Sequence, residues 1–333
     1  MKNEIRFSLT LFGAGEVINS TASNESGNDL SAEMKTFYDK ALIELATPNL
    51  VHDQFGQKRK IPANGGKSVE FRCFSSLPKA TTAITEGVTP TGNKLNVKGI
   101  VCTPEQYGDY VELTDVFELT AVDNTVLEAT KKLADQAGRT LDTIVRNELN
   151  GGTNVMYSAG NEGVQPVLRS DVNKSCTLKT KEIYRAAAEL KRMNAPKIDG
   201  YYVAIIHPYV AYDLMEEAGD RFLTVGSYAT PNGTYAGEIG CLGGVRFVET
   251  SEAKTFDVSE GAADGMTVYS TLIFGADAYG VTEMEGGIEN IIKQKGYGND
   301  PLNQRSSVGW KAFKAAKRLV EEYMIRIESG CSL

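Results

Sequence analysis

A chain of 333 residues with 41% hydrophobic and 23% charged side chains can bury a large core and is expected to form a soluble globular protein of two or three domains. The formal net charge of −8 argues against a dedicated nucleic-acid binder, which carries a basic face. Cys73, Cys102, Cys176, Cys241 and Cys331 are widely spaced without a CxxC pair, so they suggest neither a disulfide framework nor a zinc site and read as reduced cytoplasmic thiols. The start, Met1-Lys-Asn-Glu, lacks the marks of a signal peptide, and no run of about 18 apolar residues predicts a membrane span.

Residues 1–32 hold a short alternating run (Ile5, Phe7, Leu9, Leu11) and then a Ser/Asn/Gly/Thr stretch. Such a segment buries too little to order alone and reads as an arm that needs a partner surface. Ala32 to Ala46 predicts a helix, with Met34, Phe37, Tyr38, Ala41, Leu42 and Leu45 on one face. From Lys67 the period becomes two: Val69, Phe71 and Cys73 alternate with Glu70, Arg72 and Phe74. Leu95, Val97 and Val101 then read as the returning strand of a hairpin. Between the strands, Ser75 to Lys94 is rich in Thr, Gly and Pro and has no apolar face to fold back on a core. Loops of that length are functional or disordered. A hairpin reaching a neighbouring subunit accounts for it better than an active-site lid, which stays open as the alternative.

Tyr107 to Leu119 reads as one further strand leading into the longest element of the chain. Asp123 and Asn124 offer capping oxygens, and Val126, Leu127, Leu133, Ala134, Ala137, Leu141, Ile144, Val145 and Leu149 recur at steps of three and four to Asn150. Lys131, Lys132, Asp135, Arg139, Asp142, Arg146 and Glu148 fill most of the other side, and Gly151-Gly152 ends the helix. The stripe is too narrow for a membrane span and too irregular for a coiled coil. It fits either a core helix of an α/β enzyme or a spine across which a sheet is laid. Residues 151–177 are irregular. A helix from Lys179 to Met193, a buried strand from Tyr201 to Ile206 and a helix from His207 to Ala218 suggest a second, α/β-like domain. Asn232-Gly233 marks a turn, and Val245–Thr250 and Thr267–Phe274 read as later strands. The chain is strand-like again from Gly280 and over Ile288–Lys293. A long last stretch, Val308 to Ile327, is expected to return to the sheet on the spine helix.

The signatures of catalysis are weak. Phe12-Gly-Ala-Gly begins like a dinucleotide loop, but Ile18 stands where the third glycine belongs and no βαβ unit follows. Gly240-Cys-Leu-Gly-Gly244 lacks the Lys-Ser/Thr of a phosphate loop and reads as a tight turn between strands. His52 and His207 are the only histidines. They cannot form a multi-histidine metal cluster, and His207 before Pro208 reads as a helix cap. No nucleophile signature is present.

Several stretches in order resemble the major capsid proteins of tailed bacteriophages, in the branch similar to the podovirus coat proteins of the coliphage N-four type. They are Thr85-Glu-Gly-Val-Thr-Pro, Gln106-Tyr-Gly-Asp-Tyr-Val, Leu113-Thr-Asp, Gln136-Ala-Gly-Arg-Thr-Leu-Asp and Gly151-Gly-Thr-Asn-Val-Met-Tyr. Gly237-Glu-Ile-Gly, Gly243-Gly-Val-Arg-Phe-Val-Glu-Thr, Phe274-Gly-Ala-Asp-Ala-Tyr-Gly-Val and Asp300-Pro-Leu-Asn-Gln-Arg-Ser-Ser-Val-Gly-Trp-Lys-Ala follow. The resemblance implies the α+β Johnson-type capsid fold shared by tailed phages, herpesviruses and encapsulins. It implies an N-terminal arm at 1–32, an arm helix and linker at 33–66 and an extended loop at 67–104. A peripheral domain at 105–175 and 276–333 would carry the spine helix 124–150, and an axial domain would span 176–275.

The function implied is a structural subunit that self-assembles into hexamers and pentamers of an icosahedral head enclosing double-stranded DNA, in the virion, after assembly in the host bacterial cytoplasm. Its partners would be copies of itself, a separate scaffolding protein, a portal protein, a decoration protein and DNA held by non-specific contact, with no membrane. The resemblance implies no catalysis, cofactor or metal. It places intersubunit contacts at Lys79, Thr85, Glu86, Val88, Lys94, Arg305 and Trp310. An encapsulin-like compartment shell and, from a different class, a soluble enzyme acting through 75–94 remain the alternatives.

Overall fold

One helix touches both sheets of this protein, and the rest of the chain is arranged on either side of it. The computed structural model describes residues 51–61, 66–74, 77–84, 86–87, 89, 91–120, 125–160, 163–227, 234–293, 295 and 301–333. The expected arm at 1–32, the helix at 32–46, the glycine run at 13–15, the caps at 123–124 and the turn at 232–233 lie outside those residues.

In chain order the strands and helices begin with β1 (Gln57–Ile61), β2 (Val69–Phe74), β3 (Val97–Cys102), β4 (Glu105–Thr114), α1 (Asp115–Thr120), α2 (Thr125–Asn150) and β5 (Val155–Tyr157). The middle of the chain forms α3 (Thr180–Arg192), β6 (Tyr202–Ile206), α4 (Pro208–Ala218), β7 (Leu223–Thr224), β8 (Glu238–Leu242), β9 (Val245–Glu249) and β10 (Thr255–Phe256). It closes with β11 (Val268–Phe274), β12 (Tyr279–Lys293), β13 (Arg305–Arg318) and β14 (Met324–Ser329). Among the described residues these strands make three sheets. One is four-stranded in the order β1-β12-β13-β4, one is eight-stranded along β5-β14-β11-β6-β9-β8-β7 with β10 beside β11, and the hairpin β2-β3 stands alone.

The spine helix α2 has 26 residues, a length of about 39 Å at 1.5 Å per residue. Its first half lays Leu133, Ala134, Ala137 and Leu141 on Val308, Trp310 and Ala312 of β13. Ala134 and Ala137 are fully buried, and their small side chains let the strand come close. Its last turns place Val145 and Leu149 against Val203 and Ile205 of β6 and Leu272 and Phe274 of β11. One apolar stripe therefore serves two cores. The helices α3 and α4 cover the other face of the eight-stranded sheet, where Ile183, Leu190, Val210 and Leu214 meet Ala204, Ile206, Phe247 and Ile325.

Three local expectations change. The stretch from Tyr107 to Leu119 is not one strand. The Thr114 hydroxyl accepts the Phe117 N–H at 3.3 Å and the Asp115 carboxylate accepts the Val116 N–H at 2.8 Å, turning the chain into α1. The stretch from Val308 to Ile327 is also two strands, broken by a single helical turn at Glu321–Tyr323. Only the first of them, β13, lies on the spine's own four-stranded sheet. The second, β14, pairs antiparallel with β11 and parallel with β5 in the eight-stranded sheet. The Gly240–Gly244 segment is the tight turn expected: Gly243 (φ 64) and Gly244 (φ 85) connect β8 to β9, in the left-handed region that a two-residue hairpin turn requires.

Candidate assembly surface

The hairpin β2-β3 pairs in register from Val69 with Cys102 to Phe74 with Val97. Only its base is anchored. Phe71 and Cys102 are buried with Leu319, and the Arg59 guanidinium of β1 lies 5.3 Å from the Phe71 ring centre. Burial there pushes the Cys102 thiol up to about 11, and that thiol stays protonated. Beyond Phe74 the described residues of the loop are exposed, among them Leu77 (54% exposed) and Ile84 (75%). Lys79, Glu86 and Lys94 are exposed on this loop, while Thr85 and Val88 lie outside the described residues.

Arg305 opens β13 on the surface, with its guanidinium 4.0 Å from the Glu112 carboxylate across the strand pair. Trp310, on the same strand, is a different case. It is 3% exposed, packs under α2 and donates its indole N–H to the Gln136 side-chain oxygen at 3.3 Å. In the subunit Trp310 is therefore a core residue, and the expectation of a surface contact there is corrected: strand alternation turns it towards the helix.

The opposite face of the same sheet is concave. Side chains alternate along strands, so the partners of Gly309, Tyr110 and Ile291, point away from α2. Together with Gly108, Glu112, Lys293 and Ser307 they line a groove of about 590 Å³. Its floor needs glycine: a Cβ on Gly309 would come within 2.7 Å of the Tyr110 Cβ, and one on Gly108 within 2.5 Å of the Trp310 carbonyl.

A buried clamp joins the first described residues to the spine. Asp142 reads in sequence as part of the solvent face of the helix, yet it is fully buried. Its two oxygens accept the His52 N–H at 2.7 Å and the His52 Nδ1–H at 2.6 Å. The Tyr279 hydroxyl donates to the His52 carbonyl at 2.5 Å. Next to it, the Asp53 carboxylate stands 2.8 Å from the Lys314 ammonium and 3.2 Å from that of Lys58. Burial alone would raise the Asp53 carboxyl, but Lys314 and Lys58 outweigh it and hold the group below its ordinary value. A histidine next to an aspartate is the one available sequence signal, and their partners lie 90 and more residues away. Among the described residues no group of three or more His, Cys, Asp or Glu could hold a metal ion, and no helix is long and apolar enough to cross a membrane.

Solved structures with this architecture come from protein shells. The chain is similar to the capsid of Ralstonia phage GP4 (TM-score 0.67, 15% identity, covering 83% of this chain and 87% of that one). It is also similar to the Cyanophage Pam1 capsid (TM-score 0.62, 13% identity, 96% and 100% covered) and to the virus-like particle from Pyrococcus furiosus (TM-score 0.51, 11% identity, 89% and 100%). At such identities these likenesses define a class by fold, the capsid-type shell subunits. The family model "Phage capsid protein" matches residues 99–324, well over half of the chain, and the chain belongs to that family. Among curated proteins, none matches the sequence.

Proposed function

We propose that this protein is the major structural subunit of a phage head, forming hexamers and pentamers that close into an icosahedral shell around double-stranded DNA in the virion. The match of the phage capsid family over residues 99–324 is the observation that carries the reading. The architecture supports it: a long spine under a four-stranded sheet, an α/β-like second sheet, and a hairpin whose tip residues find no cover within their own subunit. The chain acts by contact and geometry, not by catalysis.

In this reading the four-stranded sheet and α2 form the peripheral domain, and the eight-stranded sheet the axial domain. By strand pairing, 155–157 and 324–329 go with the axial sheet. Residues 67–104 reach a neighbouring subunit, with Lys79, Glu86, Lys94 and Arg305 on the surfaces that meet. The partners are further copies of the chain, a scaffolding protein, a portal, a decoration protein and packaged DNA, and assembly takes place in the cytoplasm of a bacterial host. An overall charge of −8 suits a container that must not grip its DNA, since many phosphate contacts would bind it tightly.

The likeness to the Pyrococcus furiosus particle keeps a second reading, a compartment shell without DNA. Electron microscopy of the purified protein, alone and co-expressed with its neighbouring gene products, separates the outcomes. Closed shells or capsomer rings that retain DNA when portal and scaffold are supplied support the head. Shells that enclose protein cargo support the compartment, and a monomer under all conditions overturns both.

A further inference from the structure

The charge of this chain is divided between two edges of one sheet. Residues 57–102, which hold β1 and the hairpin, carry eight basic and two acidic side chains, a formal charge of +6 in a chain of −8. Residues 105–120, which hold β4 and α1, carry five acidic side chains and no basic one. The two segments are neighbours in sequence but not in the sheet. In the order β1-β12-β13-β4 they stand at opposite edges, and the hairpin base is tied to the β1 edge through Arg59 and Phe71. All eight basic residues are exposed, as are Glu105, Asp109 and Glu112.

Part of this charge is met locally. Arg72 lies 3.4 Å from Glu70, Lys58 meets Asp53, Glu112 stands 4.0 Å from Arg305, and Glu118 meets Lys295 at 2.8 Å. These partners do not cancel the segregation. Apolar side chains are interspersed on both sides, Leu77 and Ile84 with the basic residues, and Val116, Phe117 and Leu119 (81% exposed) with the acidic ones.

We propose that the basic edge, Lys79, Lys94 and Lys98 of the hairpin above all, docks on the acidic β4–α1 edge of a second copy of this chain. The inference rests on the capsid reading and names the surface that the extended hairpin recognises. Charged edge strands ordinarily keep sheets apart, and they do so when both edges carry one sign. Here like edges repel and unlike edges attract. A two-fold contact, which would bring an edge against its own copy, is disfavoured, and a head-to-tail contact is favoured. Head-to-tail contacts close into rings when the rotation allows, which is the geometry a capsomer needs. A basic hairpin could also meet nucleic acid, but that use leaves the acidic edge unexplained.

The test uses the full-length chain assembled from purified subunits, with sedimentation and electron microscopy as readouts. Sodium chloride between 0.05 and 1 M shortens the range of charge interactions from about 14 Å to about 3 Å, so the critical concentration for assembly of the unaltered chain rises with salt. Reversing the basic side (Lys79→Glu, Lys94→Glu, Lys98→Glu) or the acidic side (Glu105→Lys, Glu112→Lys) raises it about tenfold or more at low salt. The chain carrying both sets has its signs exchanged and regains complementarity, assembling within about threefold of the unaltered protein. Thermal unfolding of each variant confirms a folded subunit, and the salt series requires no variant.

Three results overturn the proposal while leaving the capsid reading intact: shells indifferent to salt and to both reversals, a combined chain showing the sum of the two losses, or a basic-side reversal that lowers only DNA retention. An unaltered chain that stays monomeric at every salt concentration overturns both.

Discussion

Replacing Asp142 by alanine tests the claim that a fully buried carboxylate pins residues 51–53 to the spine. The side chain satisfies two donors, the His52 backbone N–H at 2.7 Å and the His52 ring at 2.6 Å, with His52 itself 1% exposed. Water does not reach the vacated site freely, so both donors are left buried without acceptors. Each stranded donor costs about 1–3 kcal/mol, and the variant should lose about 2–5 kcal/mol. That is a large share of the roughly 5–15 kcal/mol by which a folded domain is stable. Asp142→Asn keeps an oxygen for the His52 N–H but gives up the charge, and should lose about half as much. Lys132→Ala, an exposed change one face away on the same helix, should stay within about 0.5 kcal/mol. Urea unfolding of the unassembled subunit measures all three, and limited proteolysis shows whether the segment before β1 opens first. An Asp142→Ala loss below about 0.5 kcal/mol, or equal sensitivity of Asp142 and Lys132, refutes the clamp.

Trp310→Ala should destabilise the subunit by about 3–5 kcal/mol in the same unfolding assay, because the indole fills the space between β13 and Leu133, Ala137 and Leu141. Lost assembly with unchanged unfolding would return Trp310 to an interface role. Asp53 adds a pH dependence whose sign follows from its lowered value: its pairing with Lys314 and Lys58 stabilises fully above the ordinary 3.8 and is lost as pH falls below it. Denaturant unfolding between pH 6 and pH 3 should therefore show a shallower acid limb in Asp53→Asn, whose stability at pH 6 is already reduced; identical limbs would contradict the pairing. Replacing 77–92 by a short glycine-containing turn should leave the unfolding temperature nearly unchanged, since shortening a loop alters closure entropy by only about 1 kcal/mol or less. The same variant should fail to build shells, because contacts repeated around each capsomer fail together, and normal shells seen by sedimentation would refute the intersubunit loop.

What the sequence alone determined is local and periodic. The spine was legible because apolar residues at steps of three and four from Val126 to Leu149 have no other regular solution, and α2 spans Thr125–Asn150. Alternation marked β2, β3, β9 and β11, and Gly243-Gly244 marked a turn that only left-handed backbone can make. The absence of an apolar face on 75–94 separated the loop from the core, and the ordered capsid stretches pointed to the family. Partners distant in sequence were not legible. A carboxylate at the border of a helical stripe looks solvated, and only the return of His52, 90 residues earlier, turns Asp142 into a buried anchor. Alternation over Ile325 and Ile327 announces a strand but cannot say which sheet receives it, because both sheets offer an apolar face to the same helix; β14 goes to β11. Trp310 carries an aromatic signal equally suited to an interface and a core, and the strand register under Leu133 and Leu141 decides for the core. Composition shows the +6 and −5 segments, but only the order β1-β12-β13-β4 sets them at opposite edges, because strand order is decided by long-range pairing that no local pattern encodes.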